Sequence, residues 1–160
     1  MAEKVIATNK KAFHDFQILE TFEAGIVLLG SEVKSCRQNK VNLKDGYGRI
    51  KDGEIYLIDT HISPYFYAHQ FNHDPLRDRK LLFHKKEIKK LYGKMRERGQ
   101  TLIPLKMYFK NGKVKIEMAL AKGKKDFDRR EDIKKRDVER EMRKGLSNLC
   151  LNIYLCLYSN

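Results

Sequence analysis

His69 and His73 stand four apart, a spacing that puts two imidazoles on one helical face as metal ligands. Here they sit beside Asn72 and ahead of Asp74-Pro75, which is turn chemistry, so no metal site is expected. Asp126 and Asp128 are the nearest approach to the paired carboxylates of a metal-dependent nuclease, but they lie among lysines and arginines that pair with them more simply. The chain has no Gly-x-x-x-x-Gly-Lys phosphate loop, no His-Glu-x-x-His pair and no Gly-x-Ser-x-Gly elbow. Cys36, Cys150 and Cys156 are odd in number, fit no zinc pattern and read as reduced thiols. No catalytic residue, metal or cofactor is expected.

The chemistry that remains suits RNA. Thirty-four Lys and Arg against 21 Asp and Glu give a net charge of +13 and a pI near 9.6. A charge that large repels itself in a compact chain, which favours a polyanionic partner: nucleic acid first, an anionic membrane surface second, with plain solubility as the bland alternative. Basic clusters occur at Asn9-Lys-Lys, Arg77-Asp-Arg-Lys80 and Lys122-Gly-Lys-Lys125, each at an element boundary where a phosphate can approach. Phe16, Tyr65, Phe66, Tyr67 and Phe127 are candidate stacking platforms for exposed bases. Core filling is the competing role for most of them. Phe127 is the exception, because its charged neighbours offer no core.

These residues need elements to position them. Two strand-like runs flank Asn111-Gly112, and two more flank Asp52-Gly53, the dipeptides that suit tight hairpin turns with positive φ at both central residues. Val114, Ile116, Met118 and Leu120 alternate with Lys113, Lys115, Glu117 and Ala119, predicting one buried and one wet face. Residues 14–22 and 24–30 read as two strands separated by Glu23. Residues 31–37 read as a short helix capped by Ser31. Ile88, Leu91, Tyr92 and Met95 form one apolar stripe on a helix over 84–98, interrupted at Gly93. Residues 61–79 have no period and read as an ordered loop. Short strands with regular turns favour a closed barrel, which removes exposed edges, with helices packed at its side. The expected division is a barrel domain over 1–121 and a basic tail over 122–160. The tail carries i,i+4 pairs such as Glu131–Lys135 but few apolar residues, so it is expected to be mostly disordered when free and helical when bound.

The runs EAGIVLLGSEVKSCR (23–37), DPLRDRKLLFHKKEI (74–88), GQTLIPLKMYF (99–109) and AKGKKDFDRREDIKKRD (121–137) resemble, in order and in register, the signature stretches of the SmpB family, the bacterial protein partners of transfer-messenger RNA. The resemblance covers about residues 5 to 143. It implies a mainly β protein: an oligonucleotide-binding-type closed β-barrel with about three peripheral helices and a basic C-terminal tail. It further implies a cytoplasmic protein, monomeric when free and with no membrane role, that binds the transfer-RNA-like part of transfer-messenger RNA. With elongation factor Tu, the complex would enter a stalled ribosome. There the tail would probe the small-subunit RNA of the empty decoding centre and the message channel.

Carried over by position, the resemblance places Asn9, Phe16 and Glu23 at the RNA face, Phe16 standing where Tyr is common. Glu32, Lys34 and Arg37 fall near that face, Arg79, Lys80 and Leu82 form a second contact region, and Lys122, Lys124 and Lys125 join barrel to tail. Asp128, Arg129 and Arg130 match the family's decoding-site motif, with Phe127 replacing its usual Tyr or His. Glu23 and Glu32 are unexpected against RNA: a carboxylate there either accepts from base amino groups or orients an arginine. The chain departs from the family after Gly145, where GLSNLCLNIYLCLYSN replaces a basic tail. Its apolar run Leu149–Tyr158 is too short for a membrane span, and packing on the barrel, self-association or an altered reading frame all remain open. The rival readings are a basic RNA-processing nuclease, a generic RNA chaperone and a membrane-surface or docking protein.

Overall fold

The computed structural model describes residues 3–96, 99–124 and 142, with 69–71 as backbone only. The readings made on 125–130 and on the rest of the tail lie outside the described residues. Met1–Gly123 form one compact unit and Lys124–Asn160 another.

The strands in chain order are β1 (Lys4–Thr8), β2 (Phe16–Ile26), β3 (Val41–Asn42), β4 (Tyr47–Lys51), β5 (Glu54–Ile58), β6 (His61–Ile62), β7 (Arg79–Leu82), β8 (Gln100–Lys110) and β9 (Lys113–Gly123). The helices are α1 (Lys10–Asp15), α2 (Gly30–Arg37) and α3 (Lys85–Met95), with a 3₁₀ turn over Phe66–Phe71. Neighbouring strands run β8-β4-β5-β7-β2-β9, and β9 pairs back onto β8, so six strands close into a ring; β1 extends the β8 edge and β3–β6 form a separate pair. The mainly β, closed architecture with three flanking helices is the one expected.

Local chemistry explains the ring. Asp52 and Gly53 have φ of +53° and +75°, and Asn111 and Gly112 have +52° and +73°, as two-residue hairpin turns require. They set the registers Lys51↔Glu54 and Lys110↔Lys113. The ring closes between β4 and β8 at the single register pair Gly48↔Leu102. A Cβ on Gly48 would meet Leu102 Cδ2 at 2.6 Å and Cγ at 2.9 Å, so only glycine lets the strands approach. Ile55, Leu57, Leu81, Leu102, Met107 and Ile116 are among the fully enclosed residues of the core.

Several details differ from expectation. Glu23 does not divide two strands; it lies inside the continuous β2, because its carboxylate finds partners across the sheet. Helix α2 begins at Gly30 with Leu29 in the capping position, and the Glu32 carboxylate accepts from Leu29 N–H at 2.7 Å. Gly93 does not interrupt α3; it is exposed with open space beside it. Leu91 is fully buried on that helix, but Tyr92 is 54% exposed and turns from the core. The face of β9 expected to be wet is so at Lys113 and not at Ala119, which is buried, as is Ala121 beyond it. They form a second cluster with Ala12, Ile103 and Leu105, because α1 covers that end of β8 and β9. Within the expected loop of 61–79, His61–Ile62 is a strand and Phe66–Phe71 a turn of 3₁₀ helix.

Candidate nucleic-acid interface

The residues singled out from the sequence separate into exposed groups and buried ones. Antiparallel pairing of β2 with β9 places Glu23 opposite Glu117, and Gly25 lies opposite both Lys115 and Leu82. The Glu23 carboxylate accepts from Tyr108 Oη at 2.5 Å and from Lys110 Nζ at 2.8 Å, with Lys115 Nζ at 3.5 Å. Hydrogen bonds from Lys110 and then Tyr108 hold the Glu23 carboxyl down at about 2. Burial, reinforced by Glu23, pushes the Tyr108 phenol up. Glu23 is therefore an organiser: bonded to the buried Tyr108, it fixes two ammonium groups on a surface where each would otherwise sample many rotamers. Beside it, Leu82 is 54% exposed and lines an open groove with Gly25, Val33, His84, Lys113 and Lys115.

Phe16 and Lys122 lie at the far end of the same strand pair, where Phe16 is opposite Gly123 and Gln17 opposite Lys122. Phe16 and Glu23 are seven positions apart along the strand, roughly 23 Å. Phe16 packs against the second core cluster, while Lys122 is exposed. Lys124 lies just beyond β9. Lys34 and Arg37 are exposed on α2, and Lys34 Nζ stands 5.2 Å from the centre of the Tyr65 ring. Lys80 is ion-paired with Glu54, which also accepts from Tyr56 Oη at 3.0 Å. The Lys80 bond, then that of Tyr56, holds Glu54 below the ordinary carboxylate range.

Asn9, Glu32 and Arg79 are inside the protein. Asn9 is 4% exposed. Its Nδ2 donates to the carbonyls of Leu43 at 3.0 Å and Pro104 at 3.1 Å, its Oδ1 accepts from Ala12 N–H, and its backbone N–H donates to Leu105 O. One side chain thus caps α1 and ties it to the irregularity in β8 between Pro104 and Lys106. Glu32 and Arg79 have no exposed surface. Arg77 grips Glu32 with two bonds, Nε to Oε1 at 2.9 Å and Nη2 to Oε2 at 2.6 Å. Arg79 Nε reaches Oε1 at 2.8 Å. The Arg79 guanidinium is saturated further by the carbonyls of Thr60, Arg77 and Pro75. Burial pushes Glu32 up, but Arg77, the Leu29 N–H and Arg79 together hold it below its ordinary value. His73 has both ring nitrogens engaged, Nδ1 with Ser31 Oγ at 2.9 Å and Nε2 with Ile62 O at 3.0 Å. It joins α2 to the loop and has no lone pair to spare for a metal.

Tyr108, Lys110, Lys115 and Arg77 were not singled out from the sequence as partners of the two glutamates. The signal was partly there, since the Asn111-Gly112 turn sets Tyr108 opposite Lys115. The pairing of β2 against β9, which delivers Glu23 to them, was not.

A closed β-ring with lysines ordered at its surface and exposed aromatic rings defines a basic protein of the oligonucleotide-binding barrel class. Residues 6–148 match the SmpB protein family. The chain belongs to that family. It is 61% identical over 142 residues to an SsrA-binding protein of Symbiobacterium thermophilum, covering 88% of this chain and 90% of that one. An SsrA-binding protein of Geobacter sulfurreducens is 59% identical over 146 residues, covering 91% and 95% respectively. A solved chain described as "tmRNA-SmpB: a journey to the center of the bacterial ribosome" superposes with a TM-score of 0.64 at 49% identity, covering 75% of this chain and 85% of that one.

Proposed function

We propose that this protein binds the transfer-RNA-like domain of transfer-messenger RNA and delivers it to stalled ribosomes for trans-translation. Family membership over residues 6–148, together with relatives named for binding that RNA and a similar structure described with it and the ribosome, carries the reading. The geometry gives it a physical form. Lys110 and Lys115, held by Glu23, meet the phosphate backbone, and the apolar groove beside Leu82 takes a sugar or base edge. Glu23 acts by aligning those cations. Asn9, Glu32 and Arg79 act from within, by fixing α1, α2 and the approach to β7, while Lys34, Arg37, Lys80, Lys122, Lys124 and Lys125 supply further charge. Phe127, Asp128, Arg129 and Arg130 work at the small-subunit RNA of the decoding site, a test of an empty channel with no catalytic step. Elongation factor Tu joins through the RNA, the free protein is a monomer, and the setting is the cytoplasm. No described helix is long and apolar enough to cross a membrane.

The test is a titration against the transfer-RNA-like domain, with an ordinary transfer RNA of equal length as competitor, over a salt series. Preference that survives near-physiological salt supports shape recognition added to charge. Equal binding that fades with salt for both RNAs sinks the proposal and leaves a generic basic protein. Cleavage of the RNA on adding divalent metal would instead favour a nuclease.

A further inference from the structure

Phe66 and Tyr67 are 80% and 70% exposed, the two most exposed large apolar residues among those described. Single apolar side chains on a surface need no explanation, but these are not single. Tyr65, Phe66 and Tyr67 are consecutive and touch one another: the Tyr65 and Tyr67 rings lie 5.6 Å apart at 58°, and the Phe66 and Tyr67 rings 5.2 Å apart, edge to face. The segment that carries them is clamped. Asn72 accepts from Tyr65 N–H at 3.0 Å and donates to Tyr65 O at 2.8 Å, bridging the two ends of the turn. Tyr65 O also accepts from Ala68 N–H. Next in the chain, His73 is fixed to Ser31 of α2 and to Ile62. Rings that are exposed, mutually packed and anchored at the backbone form a prepared surface, with little ordering left to do on binding.

The charge beside them selects the occupant. Lys34 Nζ lies over the Tyr65 ring, and Arg37 and Lys40 are exposed on and just after the same helix. Lys40 is tied to the aromatic segment through its carbonyl, which accepts from Ser63 N–H at 3.1 Å. Aromatic faces flanked by cations fit a splayed base with its phosphate, since the ring stacks and the ammonium neutralises. An apolar peptide would leave those cations without a role.

We propose that Tyr65, Phe66 and Tyr67, with Lys34, form a stacking site for an unpaired RNA nucleotide, distinct from the cluster built on Glu23, Lys110 and Lys115. The proposal rests on the reading that this chain works on RNA, and the nucleotide comes from either the transfer-messenger RNA or the ribosome. Three binding measurements with the full chain separate the sources: a labelled single-stranded uridine hexamer beside its abasic counterpart, the isolated transfer-RNA-like domain, and ribosomes carrying no message past the decoding site. Phe66→Ala with Tyr67→Ala is expected to weaken at least one of the three by about fivefold or more, the loss of a stacked base. Its thermal midpoint stays that of the parent, because both rings are exposed. Phe66→Leu with Tyr67→Leu keeps apolar area without rings, and it is expected to fail as the alanines do. Unchanged binding by the alanine variant in all three measurements overturns the proposal. So does full rescue by leucine, which would mean apolar docking to a protein. If the parent shows no preference for the transfer-RNA-like domain over ordinary transfer RNA, the proposed function falls, and the hexamer comparison still decides this site.

Discussion

Glu32→Ala is the substitution whose outcome the structure constrains most. The carboxylate has no exposed surface and takes four hydrogen bonds, two from Arg77, one from Arg79 and one from Leu29 N–H. Arg77 is 27% exposed and can swing towards water. Arg79 is fully enclosed and cannot. The variant therefore strands one buried guanidinium on neutral carbonyls, for which removal of a partner costs about 3–5 kcal/mol. Relaxation of Arg77 favours the lower end, ~3 kcal/mol, which is a large share of an ordinary domain's 5–15 kcal/mol. For a compact unit of this size that corresponds to a drop in Tm on the order of 10 °C. Urea and thermal unfolding at neutral pH, followed by circular dichroism, measure it. Replacing both partners, Glu32→Met with Arg79→Met, is expected to restore most of the loss, since the charge is then no longer unpaired. A Glu32→Ala protein that unfolds within about 1 kcal/mol of the parent while binding RNA poorly would refute the reasoning and make Glu32 a direct RNA contact.

Other outcomes follow from particular contacts. Gly48→Ala drives a methyl into Leu102 at the ring's closing pair and is expected to lower stability by about 1–3 kcal/mol; an unchanged urea midpoint would mean the closure is looser than described. Glu23 and Glu32 are held below their ordinary values. Each therefore adds stability that is full above about 4.5 and lost as pH falls, for Glu23 towards about 2. Acid titration of the parent and of Glu23→Gln should show a smaller acid-side loss in the variant. Glu23→Gln is also expected to weaken RNA binding although it removes a negative charge, because Lys110 and Lys115 lose their anchor; tighter binding in a filter assay would make Glu23 a plain surface carboxylate. Arg129→Ala with Arg130→Ala is expected to leave RNA affinity within about threefold yet abolish tagging in a reconstituted translation system, and unimpaired tagging would remove the tail from the mechanism.

What the sequence disclosed depended on how local the governing physics was. Asn111-Gly112 and Asp52-Gly53 were legible because positive φ is a property of the dipeptide itself. Helix α3 was legible from its stripe, since Leu91 needed only a period of 3.6 to be placed inside. The continuity of β2 was not, because Glu23 reads as a break until the lysines across the sheet are known. Helix α1 passed unread although Asn9 is a good N-cap, since six residues carry too little periodicity to count. The buried trio was the least legible. Composition treats Glu and Arg as surface residues, and the resemblance placed Asn9 at the RNA face, Glu32 near it and Arg79 in a second contact region, whereas all three side chains are buried.

The ring's closing seam has a consequence for the order in which the protein is made. Strand β2 is synthesised early and waits for β9, its partner about a hundred positions later in the chain, with β8 arriving just ahead. No subset of the earlier strands can close, so the nascent chain stays open until Gly123 has emerged, and then the longest hairpin zips both edges together. A product cut short before Gln100 lacks β8 and β9, and with them the Gly48–Leu102 pair and both lysines of the Glu23 cluster. Copies that end there cannot close the ring and present Glu23 without the two cations it aligns.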